Sequence, residues 1–503
     1  MKYIGSIKLA IPILLALFNT VYKASPLNSL PAKPQIFPDY ADITIPPNIA
    51  PLNFIINEKG SKYRVEYLVK DRIICEVKTS SPEIQISENK WKELLHNARG
   101  SEYVVKISVF SNEWINFCPI TNRVANEEID PWIVYRYLKP LYQFYYDMSI
   151  RQRNLETFNE KIVLPSWRFE RGCLNCHTFL NHTPSAFAFH VRRGKEGNPM
   201  ILCISNKVST VDKTLGYISF HPSGKAIAFS LNKLSLFFHA TGETRDVYDE
   251  DSTLGIYRID KNTIESIPEI SNPEDNQTWP CWSADGKYLF YCVAKKRPVK
   301  NYRDIKYSLA RISYELEANK WGNPEILVPA EKTGLSVHQP RISPDSRFVL
   351  FAMSEYGNFP VYRLESDLYL LNIQSGDLKR LELISDSSDS WHCWSSNGRW
   401  ILFSSKRMDG VFARPHISYF DTNAVSRKPF VVPQKDPKFY TLCIHTFNVP
   451  EFSKEQINIT QKQLLEAIAG NTFVLKPYDK INKSKPAETS EHYGSKLEKR
   501  SEQ

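Results

Sequence analysis

Four phrases constrain this chain more than anything else in it. They are YISFHPSGKAIAFS from Tyr217, PCWSADGKYLFYC from Pro280, QPRISPDSRFVLFAM from Gln339 and HCWSSNGRWILFSS from His392. Each reads as a strand, a polar turn and a second strand. The turn chemistry is consistent: glycine accepts positive φ, and Asp or Asn bonds the backbone at the corner. The copies recur at roughly 50–60 residues, close to the period of a propeller blade. LGIYRIDKN and DLYLLNIQSGDLKRLEL lie between them and supply further strands, so each repeat can build a four-stranded blade.

The turns SADGK, SPDSR and SSNGR resemble the PD40 (WD40-like) repeats of TolB-type β-propellers. The four copies span about residues 216 to 410, and the resemblance implies six blades once flanking material is included. Ser346 stands where glycine usually does, which weakens one turn without moving its register. The expected propeller covers residues 186–450. The likeness bears on fold, because propellers host many activities.

The other segments give a mainly β chain. Residues 52–125 alternate apolar and polar positions (YRVEYLVK, DRIICEVKT, EYVVKISVF), which predicts a β-sandwich, with WKELLHNA as a short helix. Residues 126–185 are expected to form a short helical segment. EEIDPWIVYRYLKPLYQFYYDMSIRQRNLETF has apolar residues at helical spacing, broken by Pro140. Residues 25–51 are dense in proline and read as an extended lead-in that lies against a later domain. Residues 451–503 form an extension whose polar end does not fold alone.

The N-terminus reads as an export signal over residues 1–24. Lys2 and Lys8 precede the apolar run LAIPILLALF, which is short for a membrane span. Tyr22 is bulky for cleavage at Ala24, so the segment is either removed or kept as an anchor, the one membrane contact expected. Net charge is +9 without a dense Lys/Arg block, which argues against nucleic acid as a partner. The expected location is the periplasm or cell envelope, and the expected partner a redox or envelope protein.

One stretch promises chemistry. Arg171 to Phe179 reads RGCLNCHTF in a chain with nine cysteines. Cys173-x-x-Cys176-His177 fits the attachment sequence of c-type haem. Two thiols add across the vinyl groups, and the next imidazole turns under the ring to reach iron. Trp167, Phe169, Phe179, Phe187 and Phe189 would shield the group, and Arg171, Arg192 and Arg193 would face its propionates. His190 is the expected sixth ligand, so His177 and His190 would hold the metal, with His182, Met200 and His221 as other candidates. The competing readings are a structural zinc that recruits Cys203 and a redox-active disulfide. Cys281 and Cys393 occupy one place in two repeats and read as buried packing, as do His338 and His392 nearby.

The order PDYADITIPPNIAPLNF, IDPWIVYRYLKPLY, RGCLNCHTF, FHVRR and then PD40 repeats also resembles Bacteroidetes proteins labelled TolB-like propeller or cytochrome c biosynthesis proteins. That resemblance spans about residues 38 to 450. Together the readings predict an exported protein with one covalent haem c, transferring electrons or binding a redox partner. The alternatives are a haem-free envelope scaffold and a haem enzyme with an open iron site. A serine peptidase is disfavoured, since no G-x-S-x-G occurs.

Overall fold

The computed structural model describes residues 32–140, 147–169, 172–193, 197–237, 246–383, 385–471 and 473–479. The signal expected over residues 1–24 lies outside them. No helix among the described residues is long and apolar enough to cross a membrane.

Six four-stranded antiparallel sheets form a closed ring, so six blades are present. Blade two is Cys173–Leu180, Thr183–Arg192, Met200–Ile204 and Lys207–Val211. Blade three runs from Gly216–Phe220 to Thr263–Ser266, and blade four from Asp275–Trp282 to Lys320–Val328. Blade five runs from Ser336–Ile342 to Leu378–Arg380, and blade six from Asp389–Trp394 to Phe430–Val431. In each, the first strand is innermost and touches the first strands of the blades beside it.

Blade one is built from both ends of the propeller sequence. Trp132–Leu138, Ser149–Asn154 and Glu160–Pro165 are its outer strands, and Thr446–Ser453 pairs with Trp132–Leu138 as its innermost strand. Segments far apart in sequence therefore lock the ring. The propeller begins near residue 132 rather than 186. In place of the helices expected within 127–158, the described residues form the strands Trp132–Leu138 and Ser149–Asn154, and residues 141–146 lie outside the described set. The physical reason is burial on both faces. All five central residues of Trp132–Leu138 are buried, so its apolar run carries no period of two and imitates a helix.

The recurrent turns behave as their chemistry requires. Ser283, Ser343 and Ser395 each donate to the Asp or Asn two residues on, at 2.6, 2.6 and 2.7 Å. Each serine also accepts the backbone N–H five residues on, at 3.0 Å. Ser346 takes φ 58° in the place filled elsewhere by Gly286 and Gly398, so the turn keeps its geometry at the cost of a left-handed non-glycine residue.

The N-terminal unit is a six-stranded sheet containing Lys62–Val69, Arg72–Thr79 and Glu102–Phe110, with a separate three-stranded sheet. The expected helix forms over Glu88–Ala98, buries Trp91, Leu94 and Leu95, and donates from Trp91 Nε1 to the Ile49 carbonyl at 2.8 Å. The second layer of the expected sandwich is thus shared between that helix and the small sheet. Part of the proline-rich lead-in joins this unit: Thr44–Ile45 pairs in parallel with Ile120–Val124, and Ile43, Ile45 and Ile49 are buried.

One apolar core continues from this unit into blades one and six, through Trp400, Leu402, Ile417 and Phe447. Polar contacts pin the same junction. Asp130 accepts from the Ser396 amide and hydroxyl, both at 2.6 Å, and Trp400 Nε1 donates to the Glu128 carbonyl at 3.1 Å. After the ring closes, the helix Gln461–Ile468 packs on blades one and two. Val474–Leu475 and Tyr478–Asp479 then add short parallel strands to blades two and three.

Candidate functional site at the propeller axis

The cysteine motif lies on a strand of the propeller. Cys173–Leu180 is the innermost strand of blade two, paired with Thr183–Arg192, and this corrects the short helical segment expected over residues 126–185. The physical reason lies in the repeat. All six innermost strands carry a one-residue bulge at the same place, where two residues pass between successive register partners. In blades two to six and then one, those two residues are Cys176-His177, Tyr217-Ile218, Trp279-Pro280, Gln339-Pro340, Trp391-His392 and Val449-Pro450. Tyr217, Trp279, Gln339, Trp391 and Val449 all have positive φ, between 41° and 54°.

His177 therefore falls at the place held by His392 in blade six. The two imidazoles do the same work. His177 Nε2 donates to the Val134 carbonyl at 3.1 Å, and His392 Nε2 donates to the Leu350 carbonyl at 3.1 Å. Val134 and Leu350 are equivalent residues on the second strand of the preceding blade. Both rings are buried, both Nδ1 atoms lack a partner, and burial pulls both imidazoles down to about 3. Each ring ties one blade to the blade before it.

His190 sits on the second strand of blade two, where its Nε2 accepts the Leu215 backbone N–H at 3.0 Å. Burial likewise draws it down to about 3. Alternation along its strand sends His190 to the face shared by Ala188, which packs with Ile218 and Phe220 of blade three. His177 points the other way, to blade one. The two imidazoles thus leave one sheet on opposite faces. Holding one iron would require His177 to release Val134, His190 to release Leu215, and at least one ring to cross its sheet.

The remaining motif residues are placed as follows. The Cys173 thiol is half-buried, 3.5 Å from Asn175 Oδ1. The Cys176 side chain and Arg171 lie outside what the structure describes. Phe169, Phe179, Phe187 and Phe189 form one apolar cluster with Leu174, whereas Trp167 is exposed. His182 meets the Phe452 carbonyl at 3.3 Å, and His221 meets the Gly286 carbonyl at 3.1 Å. Cys203 is buried, and desolvation raises its thiol to about 11, unfavourable for a metal thiolate. Among the described residues no group of three or more His, Cys, Asp or Glu side chains is arranged to hold a metal ion.

Two further register positions build the axis. At the first, Tyr217 packs on Trp279 with ring centroids 3.7 Å apart, and Trp279 meets Trp391 at 5.5 Å, so aromatic rings from three blades converge. At the second, two residues further along each strand, stand Thr178, Ser219, Cys281, Arg341, Cys393 and Glu451. Ser219, Cys281, Cys393 and Glu451 reach for the innermost strand of the following blade. Ser219 Oγ accepts the Trp282 N–H at 3.2 Å, Cys393 Sγ meets the Pro450 carbonyl at 3.4 Å, and Glu451 accepts the Phe179 N–H. Cys281 and Cys393 thus share one buried structural place, as their position in the repeat implies. Arg341 and Glu451 did not stand out in the sequence. Aligning His177-Thr178-Phe179 and Pro450-Glu451-Phe452 with Pro280-Cys281-Trp282 would have found both the ring and the two missing blades.

The shared role of the histidines has a measurable consequence. Replacing either His177 or His392 by alanine is expected to cost about 1–3 kcal/mol, because a buried carbonyl loses its donor. The two losses should agree within about 1 kcal/mol in urea unfolding, since the environments match. A far larger loss for His177 alone would indicate a role its twin lacks.

Fold and axis together define a six-bladed β-propeller with an N-terminal unit fixed to its rim. No protein-family model matches the sequence, and no curated protein matches it either. Among solved structures the chain is similar to TolB from Acinetobacter baumannii, at 13% identity and TM-score 0.41, over 73% of this chain and 85% of that one. It is also similar to a puromycin-hydrolysing peptidase of Mycobacterium tuberculosis, at 9% identity and TM-score 0.38, over 67% and 51%. A third likeness is to an oligogalacturonate lyase solved with manganese, at 12% identity and TM-score 0.34, over 59% and 72%.

Proposed function

We propose that this chain is a binding scaffold of the cell envelope, a TolB-like propeller that docks a protein partner without carrying electrons. The observation that supports it most is the twin role of His177 and His392. The histidine that suggested an iron ligand makes the same contact as its counterpart in the repeat, which supports a structural role. Export is supported by the basic, apolar N-terminal run. The junction between the N-terminal unit and blades one and six supports a single docking body, because a shared core holds the two parts in fixed relation.

The competing reading places one covalent haem c on Cys173 and Cys176, with His177 and His190 on iron. A haem-maturation host separates the two. The full chain produced there should be colourless after denaturation in alkaline pyridine, with no haem retained on a denaturing gel. A covalent haem c spectrum from the purified chain would overturn the scaffold reading.

A further inference from the structure

The ring of six side chains at the axis contains one long cation. Arg341 is half-buried and donates to the carbonyl of its own neighbour Pro340 at 3.2 Å, and no carboxylate lies within ion-pairing distance among the described residues. Its charge acts on Cys281 of blade four, on His392 and Cys393 of blade six, and on Glu451 of blade one. Arg341 stands on Ser336–Ile342, the innermost strand of blade five, in the same register ring as Cys281, Cys393 and Glu451. Of its five N–H donors, Pro340 takes one and the Cys281 sulfur meets another.

Two more donors stand in the adjacent layer. Gln339 is 1% exposed and Trp391 4% exposed, yet Gln339 Nε2 and Trp391 Nε1 have no partner. Gln339 is fixed by its other end, where Oε1 accepts the Trp391 backbone N–H at 3.1 Å. Buried donors without acceptors cost roughly 1–3 kcal/mol each. They stand one register layer from a guanidinium that forms no ion pair, and together these donors call for an acceptor-rich, negatively charged occupant.

We propose that the propeller axis at Arg341, Gln339 and Trp391 binds a small oxyanion, a carboxylate or phosphate group. The planar guanidinium takes two of its oxygens, and the amide and indole N–H groups take the remaining lone pairs. Glu451 is the opposing acid. Burial pushes its carboxyl up to about 7, with Arg341 acting in the other direction. The groups that face it are Arg341, Cys281, Cys393, Thr178 and the Phe179 amide, with Asp130 acting on Cys393 behind them. Above neutrality the ionised Glu451 repels an anion at this site; below neutrality it does not.

The test uses the full chain with inorganic phosphate and acetate as separate probes, at ionic strength held constant with sodium chloride. Thermal midpoints are followed against probe concentration. The wild type should show a saturable rise with at least one probe, and which one distinguishes phosphate from carboxylate recognition. Arg341→Gln should weaken that half-saturation by about tenfold or more. Trp391→Phe, which removes the N–H but keeps a ring, should weaken it by about threefold. At about pH 8, Glu451→Gln should tighten it by about threefold or more, and this gain should vanish near pH 6. Should Arg341→Gln not fold, Arg341→Lys keeps the charge, loses the fork and should also bind more weakly. A midpoint that responds to neither probe, or equally in wild type and the Arg341 variants, overturns the site.

Discussion

A chain ending at His445 is expected to show no cooperative unfolding transition and little near-ultraviolet circular dichroism. It lacks Thr446–Ser453, the innermost strand of blade one, with the buried residues Phe447, Val449 and Phe452. The damage spreads to both sides. Blade six loses the acceptors of Ser404 Oγ at Phe447 (2.7 Å) and of Cys393 Sγ at Pro450, and blade two loses the Glu451 carboxylate at Phe179. A ring held by nearest-neighbour contacts has no substitute for a missing closure, and the opened edge of Trp132–Leu138 becomes a site for aberrant pairing. A chain ending at Gly470 keeps the closing strand and, among the described residues, loses two short parallel pairings. It should fold, at a cost of about 1–3 kcal/mol. Urea titration of both chains checks the contrast, and equal cooperativity in the two would disprove the closure.

Stability should peak slightly below neutral pH and fall steeply in acid. His177, His190, His338 and His392 are drawn by burial from 6.5 to about 3, and His416 is also driven well below its usual value. The unfolded chain binds these protons first. Their stabilisation is therefore complete above 6.5 and is lost as pH falls from there toward about 3. Three buried carboxyls run the other way: burial raises Asp249 and Glu451 to about 7 and Asp389 to about 6. Their contribution is present at low pH and is lost as pH rises through those values. Between about pH 5 and 6 the lowered histidines outnumber the raised carboxyls that oppose them, so stability falls on acidification. Below about pH 4 the carboxyls no longer oppose and the slope steepens. Urea midpoints from pH 4 to 8 measure the profile. His338→Leu, which removes one buried imidazole that meets Ser354 Oγ at 2.6 Å, should flatten the acid limb by about one group's worth. An acid limb unchanged in that variant would assign the loss to other groups.

The match between sequence and structure follows what each signal measures. The turns at His221, Ser283, Ser343 and Ser395 are local chemistry, so four blades were legible at once. The helix Glu88–Ala98 was legible because it is amphipathic, with one face on the sheet. Trp132–Leu138 was misread because burial on both faces erases the alternation that marks a strand. The Cys173 to His177 stretch was open to two readings, because a propeller's innermost strand can carry the same letters as an attachment motif. His392 was the clue: the same residue type recurs at the same register position, and repeated positions tend to repeat their contacts.

By itself the sequence determined a mainly β chain, its blade turns, the single N-terminal helix and the shared place of Cys281 and Cys393. Those properties depend on residues within one or two turns of each other. Only the tertiary structure decided that residues 132 and 453 belong to one blade, that His177 and His190 diverge, and that Arg341 and Glu451 share one ring at the axis. Ring closure and axial contact bring together residues hundreds of positions apart, and side-chain periodicity along a strand holds no information about which distant strand lies beside it.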